Sequence, residues 1–363
     1  MSKKLHVTSL AIAITVATVL SACSDDSYDS SVVTPPPSQT ESFTQVVAFG
    51  DSLTDAGTYN PTTADANPAN DSPTGLIFST KPGSTWAVYV AGTFGQSLTP
   101  NQQVNFGIVG NGGKVMELGG LDYAEGGGRI DVDAPNGGVV MQTIPGVGTV
   151  PVQLATARSI KTQIDDYLAE HGNAFTDSQL VLIQGGANDF FLFLGQVAAN
   201  PALAANAPTV ISTAVTSMVT QVGRLKSAGA MHVIYANLAD LGKTPQFSTT
   251  PLAPLATQLT TAYNAAVATQ LNAWGVHVFD AAALINQVVA SPATYGFSDA
   301  TTPACNSYST PGNPATLTAL LCSPATLVAP GADISHVFAD GVHPTAHAHA
   351  VWSDQVTAAF PSP

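Results

Sequence analysis

The sequence predicts an α/β domain, a three-layer α/β/α sandwich with a mostly parallel central sheet. The first observation behind this prediction is that short apolar runs alternate with longer segments of helical pattern over the second half of the chain. Strands that alternate with helices form parallel sheets covered on both faces, because each connecting helix packs back on the sheet. The second is composition: the chain has 363 residues, 45% hydrophobic and 9% charged, which suits a folded chain with a large core.

Each element is predicted from its apolar pattern. Strands are short apolar runs, and helices carry apolar residues at steps of three and four, such as Ile211, Val215, Met218, Val222 and Leu225. The predicted strands are 45–49, 180–183, 232–236 and 276–279. The predicted helices are 86–94, 152–171, 210–228, 252–274, 281–290 and 345–360. The glycine-rich stretch 101–149 has no regular period, and we expect it to form loops with short strands that shape a cleft.

The charge balance excludes one class of partner. The chain carries 10 Lys and Arg against 24 Asp and Glu, a formal net charge of -14 at pH 7. Binding to nucleic acid requires clustered basic residues that release counterions, and this composition hardly supplies them. We therefore expect no nucleic-acid partner, and a substrate that is neutral or apolar.

The N-terminus has the layout of an export signal. Residues 1–22 place two lysines before an apolar run too short for a confident membrane span. The run ends in Leu20, Ser21, Ala22 and Cys23, which resembles the lipobox of bacterial lipoproteins, in which the cysteine is acylated and becomes the first mature residue. The alternative is an ordinary signal peptide, in which case the protein would be secreted or periplasmic. Residues 23–44 are rich in Ser, Asp, Thr and Pro and are predicted to be a disordered tether.

The predicted domain therefore spans residues 45–363. We expect the protein to be exported and held to a membrane by an N-terminal lipid anchor. The residue after the acylated cysteine is Ser24, and a serine at this position resembles the pattern of Gram-negative lipoproteins in the outer membrane. Cys305 and Cys322 are expected to form a disulfide, since oxidising compartments favour pairing. A catalytic thiol is the weaker alternative, because neither cysteine stands beside a histidine or a glycine-rich turn.

Three segments carry reactive or hydrogen-bonding groups, and two of them directly follow predicted strands. Residues 49–55 contain Ser52, residues 185–189 contain Asn188, and residues 340–344 contain Asp340 and His343. Ligands bind at the carboxyl ends of parallel strands, so these segments are expected to meet there. A serine, an amide and an Asp/His pair supply the nucleophile, oxyanion donor and oriented base of acyl transfer.

Other interpretations of these residues remain open from spacing alone. Ser52 could be a helix N-cap, and Asn188, like Asp51 and Asp189, could cap a turn. A metal site could also be formed by His336, His343, His347, His349, Asp333 and Asp340. No His-Glu-x-x-His pattern occurs, and the glycine clusters do not open a helix after a clear strand. We therefore expect neither a metal nor a dinucleotide cofactor.

The motifs resemble a known family. FGDSLTDAG at 49–57, GANDF at 186–190 and FADGVHPT at 338–345 are similar to three blocks of the GDSL, or SGNH, hydrolases. DYAEGGGR at 122–129, NLADLGKTP at 237–245 and YGF at 295–297 agree with further segments in the same order. The resemblance spans roughly 46–360 and is to bacterial lipases and esterases, including the passenger domain of outer-membrane esterases. It implies an SGNH-hydrolase-like, flavodoxin-like fold.

The resemblance also implies roles for individual residues. Ser52 would be the nucleophile, His343 the base and Asp340 the carboxylate that orients the base. The oxyanion donors would be the backbone N–H groups of Ser52 and Gly127 and the side chain of Asn188. Two positions depart from the family pattern, since Asp122 and Glu125 stand where Asn and Val are commoner, and the run 126–128 leaves the choice between Gly126 and Gly127 open.

The function that these roles imply is hydrolysis of a carboxylic ester through an acyl-enzyme on Ser52, by an esterase or lipase. The substrate would be an acyl ester, with a lipid as one candidate. Two alternatives remain: an acyltransferase of the same fold, and a non-catalytic surface lipoprotein that uses the cleft for binding.

Overall fold

The structure, a computed structural model, describes residues 43–62, 76–108, 115–133, 139–144, 148–153, 157–305 and 317–360. Its strands are β1 (Gln45–Phe49), β2 (Tyr59–Thr62), β3 (Gln102–Ile108), β4 (Val115–Glu117), β5 (Val139–Ile144), β6 (Gly148–Gln153), β7 (Gln179–Ile183), β8 (His232–Ala236), β9 (His277–Phe279), β10 (Asp299–Pro303) and β11 (His336–Phe338). Its α-helices are α1 (Trp86–Thr93), α2 (Ile160–Glu170), α3 (Ala187–Ala199), α4 (Ala207–Ser227), α5 (Ala253–Asn272), α6 (Ala281–Ala290), α7 (Leu317–Leu320), α8 (Ala332–Ser335) and α9 (Ala346–Ala359).

The central sheet consists of four parallel strands in the order β1-β7-β8-β9. Val47 of β1 lies beside Val181 of β7 in the register. A further segment pairs in parallel along the other edge of β1, where Ala48 donates its N–H to Leu121 O at 3.0 Å and accepts the Tyr123 N–H at 2.9 Å. The next two segments of this sheet therefore lie on opposite sides of β1, with 121–123 on one side and β7 on the other. Such a change of direction is a switch point, where parallel sheets bind ligands.

Alternate residues of the central strands face opposite layers, which places both faces in the core. The face covered by α2, α3, α4 and α5 presents Val47, Phe49, Val181, Ile183, Val233 and Tyr235. The face covered by α1, α6 and α9 presents Val46, Ala48, Leu180, Leu182, Ile234 and Ala236. The predicted three-layer α/β/α sandwich is therefore confirmed.

Helix α4 carries the apolar stripe predicted from the sequence. Val215, Met218, Val222 and Leu225 are buried in the core cluster, and Ile211 packs against it partly buried. By length and composition alone, the segment Pro201–Ser227 would also be long and apolar enough to cross a membrane. Its buried stripe shows that α4 serves here as a core helix on the sheet.

The short strands expected in the glycine-rich region join a second sheet, whose pairing was not predicted. It has five strands, in the order β2-β3-β6-β5 with β4 paired to β3. The predicted helix 152–171 is wrong at its start, because Val152 belongs to β6 and α2 begins at Ile160. The N-cap of α2 is Ser159, whose hydroxyl accepts the Thr162 N–H at 3.2 Å. Short apolar runs fit a strand as well as a helix, so periodicity could not separate the two.

Helix α3 was not among the predicted helices, and a turn capped by Asn188 was one open interpretation of this segment. Its buried residues Phe190, Phe193, Leu194 and Val197 recur at steps of three and four. The other predicted elements agree with the structure to within a few residues at each end. Strands β10 and β11 form a separate parallel pair that was not predicted.

The described chain begins two residues before the predicted start of the domain. Phe43, placed in the tether by the sequence analysis, is 2% exposed, and its ring packs on Phe94 with centres 5.1 Å apart. The Thr44 N–H donates to Ser178 O at 3.0 Å. Phe43 and Thr44 therefore pack with the domain. Residues 1–22, Cys23 and the rest of the tether lie outside the described residues.

Cys305 and Cys322 are paired as a disulfide, with Cα atoms 5.7 Å apart. Both are buried, in a small apolar cluster with Leu320 and Ala339. Helix α7, which directly precedes Cys322 in the described chain, lies against the turn that contains Asp340, because the Ala319 N–H donates to that carboxylate. The disulfide therefore anchors a segment that contacts this turn.

Replacing both cysteines with serine should lower the free energy of unfolding by about 3 kcal/mol, because the cross-link restricts the unfolded chain. Urea unfolding of the purified domain measures this difference. Dithiothreitol should destabilise the native protein by a similar amount and leave the double variant unchanged. Equal stability of the two proteins under oxidising conditions would contradict the prediction.

Candidate active site

Ser52 lies in a turn directly after β1. The N–H groups of Thr54 and Asp55 donate to Asp51 O at 3.0 and 3.1 Å, and the Asp51 carboxylate accepts the Leu53 N–H at 3.1 Å. Ser52 is 9% exposed. Within the described residues its backbone N–H has no hydrogen-bond partner. That N–H is therefore available to a group of negative charge.

His343 follows β11 in a turn held by the Asp340 carboxylate. Asp340 Oδ1 accepts the N–H groups of Val342 and His343 at 2.9 and 2.8 Å, and Oδ2 accepts the Ala319 N–H at 3.1 Å. His343 Nδ1 lies 2.8 Å from Asp340 Oδ2, and His343 Nε2 lies 2.9 Å from Ser52 Oγ. The structure therefore brings together three candidate residues from the two ends of the domain.

This arrangement selects one tautomer of His343. An ionised carboxylate only accepts hydrogen bonds, so Nδ1 carries the proton and Nε2 keeps a lone pair for the Ser52 hydroxyl. The Phe78 ring packs on the imidazole, with ring centres 5.1 Å apart. The imidazole is thus aligned as a base toward the hydroxyl.

The glycine run 126–128 forms a turn beside the segment that contains Ser52. The Gly126 N–H donates to Asp55 Oδ2 at 2.9 Å, and Gly126 O accepts the Tyr59 hydroxyl at 2.7 Å. Gly127 is exposed, and its φ of 83° lies in the left-handed region that favours glycine. In the described part of the chain, its N–H donates to no protein group. Of the two glycines, Gly127 therefore offers the available donor.

Asn188 lies in the first turn of α3, directly after β7. Its Nδ2 donates to Gly128 O at 2.9 Å, which holds the amide against the glycine turn. A side-chain amide has two N–H groups, so one remains for another acceptor. Asn188 borders the same pocket as Ser52 and His343.

A pocket that opens to solvent lies beside the Ser52 hydroxyl. Its apolar lining includes Leu53, Phe191, Leu238, Leu241 and Val342. Such a surface favours an apolar group over a charged one.

The other C-terminal histidines have separate partners. His347 Nδ1 lies 2.7 Å from Ile334 O, and buried His349 accepts the Trp86 N–H at 3.1 Å. Among the described residues, no three His, Cys, Asp or Glu side chains are grouped to hold a metal ion.

Asp51, next to Ser52, is a buried carboxyl with an altered acidity. Burial raises its pKa from 3.8 to about 7, and its Oδ2 has no partner within the described residues. The folded state therefore binds this proton more tightly than the unfolded chain does. The resulting stabilisation is present below pH 4 and is lost as the pH rises through 7.

Asp51→Asn, which resembles the protonated form, should remove this dependence. The unfolding free energy of the variant minus that of the native protein should increase by roughly 4 kcal/mol from pH 4 to pH 8. Urea unfolding at both pH values measures the change. Asp165→Asn, at a partly exposed carboxylate on α2, is the matched control. Parallel pH profiles for the native protein and Asp51→Asn would refute the prediction.

Three solved structures resemble this chain at low sequence identity. A carbohydrate acetylesterase from Sinorhizobium meliloti is 15% identical, covering 87% of this chain and 99% of that chain with a TM-score of 0.39. A phospholipase A1 from Streptomyces albidoflavus NA297 is 11% identical, covering 86% and 98%, with a TM-score of 0.41. An aryl esterase from M. smegmatis is 16% identical, covering 87% and 99%, with a TM-score of 0.36.

No curated protein sequence matched the chain. A sequence model of the GDSL-like lipase/acylhydrolase family matches residues 46–356, which contain nearly all of the central sheet and all the site residues described above. The protein therefore belongs to the GDSL-like lipase/acylhydrolase family and is a hydrolase of ester bonds.

Proposed function

We propose that the protein is a serine carboxylic-ester hydrolase that works through an acyl-enzyme on Ser52. The observation that carries the proposal is the hydrogen-bonded series from Asp340 through His343 to Ser52, at 2.8 and 2.9 Å. His343 Nε2 takes the hydroxyl proton as Ser52 Oγ bonds to the ester carbonyl carbon. The imidazolium then protonates the leaving alcohol as the ester C–O bond breaks.

The second half of the reaction uses the same groups. His343 takes a proton from water as the water oxygen attacks the acyl carbon, and the proton then returns to Ser52 Oγ as the acid leaves. The backbone N–H groups of Ser52 and Gly127 and the Asn188 amide would stabilise the oxyanion in both halves. The availability of the two backbone N–H groups supports this assignment.

The pocket supports an ester with an apolar acyl chain as the substrate. Its side chains next to Ser52 are mainly apolar, and none of the residues described as lining it is Lys or Arg. A carboxylate or phosphate on the substrate would therefore find no basic partner there, whereas a hydrocarbon chain would gain from burial.

Ser52→Ala should lower kcat for p-nitrophenyl butyrate by about 10⁴-fold or more, because the Ser52 hydroxyl is the group that forms the acyl-enzyme. A fluorophosphonate probe should label the native protein and not the variant. Ser212→Ala, which removes an exposed hydroxyl on α4, is the matched control and should behave as the native protein. Labelling and turnover that survive in a folded Ser52→Ala variant would refute the proposal.

We also propose that the protein is an outer-membrane lipoprotein anchored through Cys23. The support is the sequence of residues 20–23 and the apolar run before it. Several acyl chains on one residue would hold the protein stably on a membrane.

Cys23→Ala should abolish incorporation of radiolabelled palmitate in a Gram-negative host and move the protein out of the membrane fraction. The Cys305→Ser, Cys322→Ser variant should keep the label, since those cysteines lie in the domain. An unlabelled native protein would rule out the anchor without affecting the proposed hydrolase activity.

A further inference from the structure

Two turns supply the backbone N–H groups of the proposed oxyanion site, and they are distant in sequence. We propose that Gln163, Arg158 and Glu125 form a brace that fixes the Ser52 turn and the Gly127 turn relative to each other. This inference rests on the proposed function, since it assigns these three residues a positioning role in the same site.

Gln163 holds the segment that precedes Ser52. Its Oε1 accepts the Gly50 N–H at 2.9 Å, and its Nε2 donates to Gly50 O at 2.8 Å and to Arg158 O at 3.0 Å. Gly50 O also accepts the Glu125 N–H at 3.2 Å. A Cβ at Gly50 would lie 2.5 Å from Gln184 O, so only glycine fits there. Gly50 therefore joins the Ser52 turn, the Gly127 turn and α2 through its hydrogen bonds.

Glu125 directly precedes the glycine turn and is bound to Arg158 twice. Glu125 Oε1 accepts Arg158 Nε–H at 2.7 Å, and Oε2 accepts the Arg158 backbone N–H at 2.6 Å. Arg158 Nη1 also donates to Asp166 Oδ2 on α2 at 2.8 Å. Glu125 is fully buried. The ion pair therefore ties the residue before the glycine turn to the start of α2.

The brace acts through backbone positions and does not touch the reacting atoms. None of its three side chains lines the pocket beside Ser52. A buried ion pair adds little stability over an apolar pair of similar size, because desolvation of the charges offsets their attraction. Fixing geometry is the contribution that remains, and small displacements of oxyanion donors have large effects on rate.

Two variants with substitutions at the buried positions of the brace, called the buried variants, test it. Gln163→Met keeps the side-chain length and removes all three of its hydrogen bonds. Glu125→Gln with Arg158→Met removes both charges together, so neither is left buried alone, and the glutamine can still accept a backbone N–H. Asn188→Ala, which removes a proposed donor itself, sets the scale.

Each buried variant should lower kcat for p-nitrophenyl butyrate by about 10- to 100-fold with KM changed less than about threefold. Affinity for an alkyl trifluoromethyl ketone, which forms a tetrahedral adduct on Ser52, should fall in parallel. Affinity for the methyl ketone of the same chain, which mimics bound substrate, should not. A merely structural role would weaken both ligands alike.

Neighbouring carboxylates on α2 provide a matched surface pair. Asp166 binds Arg158, whereas Asp165 binds Lys161 and Arg224. Asp166→Asn should lower kcat about two- to fivefold, and Asp165→Asn should leave it unchanged. If the buried variants do not fold, this pair decides the matter.

The brace is overturned if folded buried variants keep the native kcat, if both ketones weaken equally, or if Asp166→Asn and Asp165→Asn have equal kcat. These outcomes count against the brace when the native protein is active and is labelled by the fluorophosphonate probe. A native protein that is neither active nor labelled would instead refute the proposed function.

Discussion

The hydrogen bond between His343 Nε2 and Ser52 Oγ is the interaction on which the site depends, because its two residues come from opposite ends of the domain. Bringing such distant segments together costs chain entropy, which one hydrogen bond cannot offset. The packing of apolar side chains in the core provides the free energy that offsets the rest of this entropy cost. Helices α1 and α9 pack through Trp86 and Trp352, whose stacked rings lie 5.5 Å apart, and His349 accepts the N–H that begins α1.

The polar interior around the site follows from the same constraint. A turn that must present a free N–H to substrate needs its other peptide groups satisfied by the protein, since unpaired buried groups are costly. Asp55, Tyr59, Gln163 and Asn188 meet that need around the glycine turn and Gly50. The polar network therefore pairs the backbone groups around the two N–H groups that the proposed reaction uses.

The motifs at strand ends made the candidate site predictable, since Ser52 and Asn188 directly follow strands whose apolar runs are easily recognised. Asp340 and His343 were predictable because a separation of three places them on one turn. Gln163 and Arg158 were not predictable, because each interacts with partners far away in sequence. The pairing of the second sheet and the start of α2 were missed because short apolar runs there suit either type of element.

Local pattern and residue type were enough to establish the alternation of strands and helices and the groups capable of acyl transfer, since neither depends on remote contacts. The choice between Gly126 and Gly127 as the available donor required the folded arrangement. So did the position of the imidazole beside the hydroxyl and the joining of Gly50, Glu125 and Arg158 to one helix. These features depend on distances between segments far apart in the chain, and packing in the core sets such distances.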